Sequence, residues 1–127
     1  MCRDRALSDV RKSTNILENG WKTNSTYLNR SHEKECDSGD TWYGFASSAP
    51  VGAIYTTFKG SGTAALSYGS CEGYSSRYVK VFLNDKEISE VTGRARKDVI
   101  FDYEVGDKLT ISEHGIWKLY SFSLDCN

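Results

Sequence analysis

The sequence predicts an all-β domain: a two-sheet antiparallel β-sandwich around one hydrophobic core. Three observations carry this. The first is period-two alternation with one buried face. Val79, Val81 and Leu83 share a face, opposite Lys80 and Asn84. Val99, Phe101, Tyr103 and Val105 oppose Asp102 and Glu104, and Tyr120, Phe122 and Leu124 oppose Ser121 and Ser123. The second is the spacing of turns from Gly52 to Cys126. Tight Gly/Asp-rich turns (Gly60-Ser61-Gly62, Asn84-Asp85-Lys86, Gly106-Asp107) alternate with richer connections at Ser70–Arg77, Gly93–Asp98 and His114–Trp117. Successive connections in such a sandwich fall at opposite ends, so the tight turns should close one end and the richer loops gather at the other. The third is four widely spaced cysteines in a 127-residue chain, which read as two disulfides.

The length suits a single domain spanning residues 1–127. Residues 1–40 read as an N-terminal arm and ordered loop, and residues 41–126 as the strand-rich part. Ala6, Leu7 and Val10 can line one face of a short N-terminal helix. Thr14–Asp40 is polar, with Leu17, Trp21, Tyr27 and Leu28 as apolar anchors. Trp21, Trp42 and Tyr43 read as core or sandwich-edge residues. Strands are expected over Trp42–Phe45, Gly52–Lys59, Thr63–Gly69, Tyr78–Asn84, Glu87–Val91, Val99–Glu104, Lys108–Glu113 and Lys118–Cys126. The single proline, Pro50, precedes the strand run, where a missing ladder donor does no harm.

Lys and Arg total 16 against 17 Asp and Glu, a net charge of −1. Bulk attraction to nucleic acid or to an anionic membrane is therefore not expected. No apolar run approaches the length of a membrane span, so no membrane insertion is expected. Cys2-Arg3-Asp4-Arg5 follows Met1 with no apolar stretch, so a secretory signal is expected to be absent or already removed. Cys2, Cys36, Cys71 and Cys126 form no CxxC, and only His32 and His114 could join them in a zinc site. Asn24-Ser25-Thr26 and Asn29-Arg30-Ser31 are N-glycosylation sequons. Paired cysteines and two sequons together point to a secreted or cell-surface protein. The alternative is an intracellular domain with free thiols. Glu35, Asp37 and Asp40 form the one acidic group that could take calcium, but without EF-hand spacing. No metal or other cofactor is expected.

The loop alternation also predicts the disulfide pairing. Cys71 follows the strand Thr63–Gly69 and sits at the loop end, whereas Cys126 ends the last strand at the tight-turn end. Strands of about 5–6 residues span roughly 17–20 Å, and linked Cα atoms must lie within about 7 Å. Cys71 and Cys126 should not pair. Cys36–Cys71 and Cys2–Cys126 are expected.

Several stretches, taken in order, resemble the galactose-binding-like jelly roll of carbohydrate-binding modules and lectins. They are Ser61-Gly62-Thr63-Ala64-Ala65-Leu66, Val79-Lys80-Val81-Phe82-Leu83-Asn84-Asp85, Val105-Gly106-Asp107-Lys108-Leu109-Thr110-Ile111 and Leu119-Tyr120-Ser121-Phe122-Ser123-Leu124. The resemblance covers roughly half the chain, and it implies a jelly-roll sandwich and a lectin-like role. A shorter stretch, Trp21-Lys22 with Cys36-Asp37 and Trp42-Tyr43-Gly44-Phe45, is similar to a motif of uromodulin-like extracellular domains, which implies an extracellular setting.

The loop end should present Glu72, Tyr74, Arg77, Arg94, Arg96, Lys97, His114 and Trp117. Sugar sites set an aromatic face against the C–H face of a ring and fix hydroxyls with charged groups. Tyr74 and Trp117 can supply the face; Glu72, Arg77 and Arg94 can supply the hydrogen bonds. The cluster Arg94-Ala95-Arg96-Lys97 suits a sulfate or carboxylate, so the expected glycan partner includes anionic ones. The bland reading makes these a solvated basic loop and a core tryptophan. GxSxG, HExxH and P-loop motifs are absent; Gly60-Ser61-Gly62 lacks the Lys-Ser/Thr a P-loop needs. The expectation is a glycan-binding module without catalytic activity, for which a homo-oligomer is plausible on avidity grounds. Two readings stay open: an adhesion or matrix module that binds protein through an edge strand or an aromatic patch, and a small glycoside hydrolase.

Overall fold

The structure is a computed structural model that describes residues 2–11, 14–25, 42–43 and 51–127. The strands are β1 (Lys22–Thr23), β2 (Trp42–Tyr43), β3 (Val51–Thr57), β4 (Gly62–Ser70), β5 (Tyr78–Leu83), β6 (Lys86–Thr92), β7 (Ala95–Tyr103), β8 (Lys108–His114) and β9 (Trp117–Cys126). They form two sheets, ordered β1-β3-β8-β5-β6 and β2-β9-β4-β7. Every neighbouring pair in these sheets is antiparallel. The all-β sandwich expected from the alternation is present.

Inward residues of the two sheets make the core. Val81 lies opposite Ile111 in the β5–β8 ladder. Val79, Val81, Leu109, Ile111 and Phe122 are buried, while Leu83, Phe101 and Leu124 pack partly buried against the same cluster. Two inward assignments need correction. Val105 lies beyond the end of β7, in the turn to β8, and is 69% exposed. The β4–β9 register shifts between Ser67 and Tyr68, so that Ser67 faces Ser121 and Tyr68 faces Leu119. Tyr120 is the extra residue of this bulge. A bulge reverses which side chains point inward. Trp117 and Leu119 therefore join the core ahead of it, while Phe122 and Leu124 join beyond it.

The connections gather as the alternation requires. Asn84 and Asp85 have φ of 52° and 67°, which fits a two-residue hairpin turn. Asn84 Nδ2 donates to Asp107 Oδ1 at 2.8 Å, Phe58 N–H donates to the Asp107 carbonyl, and Gly106 N–H donates to the Phe58 carbonyl. These bonds collect the tight turns at one end, above a stacked Phe58–Tyr103 pair with ring centroids 4.1 Å apart.

The N-terminal arm carries two short 3-10 turns, Arg5–Ser8 and Ile16–Asn19, and no α-helix occurs among the described residues. The first stands where a short helix was expected and buries Leu7. The second falls in the stretch expected to be a loop. Asn15 caps it by accepting from Leu17 N–H, and Gly20 closes it at φ 110°. Ile16 takes the core position, and Leu17, expected as an anchor, is exposed. Trp21 is buried, donates to the Leu7 carbonyl at 3.1 Å and packs on Phe122.

Cys2 and Cys126 form a disulfide with Cα atoms 5.3 Å apart, as expected. It is the one disulfide whose two halves both lie among the described residues, against two expected. Cys71 has no free thiol; Cys36, the other half of the expected Cys36–Cys71 pair, lies outside the described residues.

Asp4 clamps the arm beside this disulfide. Its buried carboxylate accepts from Lys59 N–H and Gly60 N–H, both at 2.9 Å. Asp4→Ala strands both donors, and leaving buried polar groups unpaired costs on the order of 1–3 kcal/mol. Urea denaturation should show a loss of that size. A loss of a few tenths would mean the arm is not clamped.

Candidate functional site

The connection Cys71–Arg77, the turn at Gly93-Arg94 and the turn Gly115-Ile116 meet at the end opposite the tight turns. Backbone bonds join them: Cys71 N–H donates to the Ile116 carbonyl and Gly93 N–H to the Arg77 carbonyl, both at 2.9 Å. Glu72 is the hub. Its Oε1 accepts from Ile116 N–H at 2.8 Å, and its Oε2 lies 3.5 Å from Arg77 Nε. Both side chains are largely buried. Gly115 has φ 102°, and a Cβ there would lie 2.5 Å from Glu72 Oε1 and 2.6 Å from Arg77 Cδ. Only glycine lets the turn pass this close.

Arg77 continues the network outward. Its Nη1 lies 3.3 Å from His114 Nε2, and His114 Nδ1 lies 3.1 Å from the Ser76 carbonyl. A carbonyl can only accept and a guanidinium can only donate. His114 therefore donates from Nδ1 and accepts at Nε2. Tyr78 meets the His114 ring edge-on at 5.8 Å. Tyr74 is 65% exposed, with the Arg77 guanidinium carbon 5.6 Å from its ring centre. The arrangement is an open aromatic face beside an arginine oriented by a carboxylate and an imidazole.

Glu72, Tyr74, Arg77 and His114 are thus brought together as the sequence suggested. Of the other expected members, Arg94 stands in the turn at this end, whereas Trp117, Arg96 and Lys97 lie on strands. Trp117 is fully buried in the main core, because the bulge at Tyr120 turns it inward, and it offers no stacking face. Arg94 and Arg96 do not sit on a long loop. Gly93, at φ 66°, turns the chain so tightly that β7 starts at Ala95. Arg96 lies on the outer face of its sheet, 4.1 Å from the Tyr120 ring centre, with Nε donating to Ser67 Oγ at 3.0 Å. Lys97 also belongs to β7 and donates to the Glu90 carbonyl. Asn24 is exposed, and its Oδ1 accepts from Ala53 N–H. Asn29 and the acidic group Glu35, Asp37 and Asp40 lie outside the described residues. Among the described residues no cluster of three or more His, Cys, Asp or Glu could hold a metal, and no helix is long and apolar enough to cross a membrane.

Glu113 was missed, although its signal was visible: it shares the inward parity of Leu109 and Ile111. It lies opposite Gly52 and Val79, is fully buried, and neither carboxyl oxygen has a hydrogen-bond partner. Burial pushes its pKa well above the usual carboxylate range.

No family model matches the sequence, and no curated protein matches it. The fold does match solved structures, and it is the sandwich found in carbohydrate-binding modules. A family 35 carbohydrate binding module from an environmental isolate superposes with a TM-score of 0.56 at 17% identity, over 93% of this chain and 92% of that one. Xyl-CBM35 in complex with a glucuronic acid containing disaccharide gives 0.51 at 13% identity, over 91% of each chain. The secreted serine protease VesC from Vibrio cholerae gives 0.59 at 14% identity, over 69% of this chain, which spans only 22% of VesC.

The buried Glu113 makes stability depend on pH. An unfolded glutamate ionises near pH ~4.3, and the folded one stays protonated to higher pH. Between the two pKa values the folded state binds more protons. Glu113's contribution is thus intact below the unfolded pKa and falls as pH rises, by at most about 1.4 kcal/mol per unit, until the folded pKa is passed. Glu113→Gln removes that slope. Urea denaturation from pH 4 to pH 8 should show the variant gaining on the parent as pH rises. Parallel curves would contradict the assignment.

Proposed function

We propose that the end formed by Glu72, Tyr74, Arg77 and His114 binds glycan, and that the protein is a secreted or cell-surface lectin-like module without catalytic activity. One observation carries the reading: an exposed Tyr74 ring lies beside the oriented Arg77 guanidinium, at the loop end of a sandwich shared with carbohydrate-binding modules. The Tyr74 face suits the C–H face of a pyranose. Arg77 Nη2 makes no bond among the described residues, which leaves donors for a hydroxyl or a sugar carboxylate. The similar fold of Xyl-CBM35, in complex with a glucuronic acid containing disaccharide, supports extending the reading to acidic sugars. The Cys2–Cys126 disulfide and the exposed Asn24 of a sequon support an extracellular setting.

A second reading, a protein-binding adhesion module, is favoured by β7. This strand pairs with β4 and ends its sheet, and Ile100 on it is 73% exposed. A glycan array separates the two, because a protein-binding module leaves it empty. On a glycan that is retained, Tyr74→Ala and Arg77→Ala should each weaken binding by about 1–3 kcal/mol, or about 5- to 150-fold. Unchanged affinity in both variants, with the fold intact, would place the site elsewhere.

A further inference from the structure

The tight-turn end holds a recess that the loop-end reading does not use. It has a volume of about 390 Å³ and is lined by Arg3, Leu7, Asn19, Lys22, Tyr55 and Lys59, among others. That volume falls within the range of small-molecule sites. A second cleft of about 350 Å³ shares Arg3, Asp4 and Lys59 with it and continues to Ser61 and Asn127. The two share a wall and together make one groove.

The charge balance of this recess is one-sided. Arg3, Lys22 and Lys59 are exposed, and none of their side chains makes an ion pair among the described residues. The one acid in the lining, Asp4, is buried and already accepts two backbone N–H groups. Three cations thus line the recess with no side-chain carboxylate among the described residues paired to them, in a chain whose net charge is −1. Their placement is built in. Arg3 lies between the Cys2–Cys126 disulfide and the Asp4 clamp, and its Cβ is 3.9 Å from the position a Cβ would take on Gly60. Lys22 is the ladder partner of Tyr55. The half-buried Tyr55 ring carries Lys108 Nζ 5.0 Å from its centre. A tyrosine and three exposed cations along one groove match sugar rings that bear anionic groups.

We propose that this groove is a second binding site, which takes the sulfate or carboxylate groups of an acidic polysaccharide chain. It is separate from the Tyr74 end. β4 runs nine residues between the two ends, and at about 3.3 Å per residue that is roughly 30 Å. One molecule can then hold two glycan segments at once.

The test titrates the intact protein with dextran sulfate, with polygalacturonate and with neutral dextran, by calorimetry at 50 and 200 mM salt. Binding of at least one polyanion, weakened by added salt and absent for neutral dextran, is expected. The source of the charge is read from which polyanion binds. Arg3→Glu/Lys59→Glu should lose at least tenfold in affinity. Lys86→Glu, an exposed reversal that does not line the groove, should change it less than twofold. Failure of both polyanions to bind would overturn the proposal. So would equal losses in Lys86→Glu and Lys59→Glu, which would mean bulk charge, or an unchanged Arg3→Glu/Lys59→Glu variant whose far-UV CD shows the fold intact. Loss in Arg3→Glu/Lys59→Glu reports on this groove and not on the Tyr74 end, because both residues line the groove.

Discussion

Glu72 joins two connections that are more than forty residues apart in sequence. Through Oε1 it holds the backbone of the β8–β9 turn at Ile116, and through Oε2 it faces Arg77 on the β4–β5 connection. Both contacts involve an ionised group, and such bonds are stronger than neutral ones. These contacts hold the arginine in place, and a group held in advance loses less entropy when a ligand meets it. His114 completes the arrangement by fixing a second nitrogen of the same guanidinium. Gly115 is the steric condition for it, since any side chain there would displace Glu72 or Arg77.

This network can form because antiparallel pairing sends alternate connections to opposite ends of the sandwich. β4 is paired along its whole length, with β7 on one side and β9 on the other. Its start, Gly62, lies opposite Cys126, and its end, Ser70, lies opposite Trp117. The ends differ in chemistry as a result. At one, the disulfide, Asp4 and the hydrogen-bonded turns hold Arg3 and Lys59 beside each other. At the other, longer connections can reach past the core and present Tyr74. Tyr68 and Ser89 tie the two sheets through a side-chain hydrogen bond between β4 and β6.

Much of this was legible in the residues. Alternation in Tyr78–Asn84 placed Val79 and Val81 inward, and turn chemistry placed Asn84-Asp85 and Gly106-Asp107 at one end. The separation of Cys71 from Cys126 followed from the same logic. What failed has identifiable causes. Strict alternation counted back from Phe122 puts Trp117 on the outer face, and only the bulge at Tyr120 returns it to the core. A bulge depends on pairing with β4, which no local pattern in β9 reveals. The basic cluster at Arg94–Lys97 read as a loop because charge usually marks solvent. A two-sided charged strand at a sheet edge has the same composition. Asn15 and Gly20 carried the cap and stop of a short turn, but four residues are too few to show helical periodicity.

Backbone amide mapping by NMR during titration with a glycan retained on the array tests the central claim most directly. The largest shifts are expected at residues 73–77 and at Gly115 and Ile116, with the Val79–Leu83 amides of the adjoining strand nearly still. Shifts confined to the outer face of β7, with residues 73–77 and 115–116 unmoved, would contradict it.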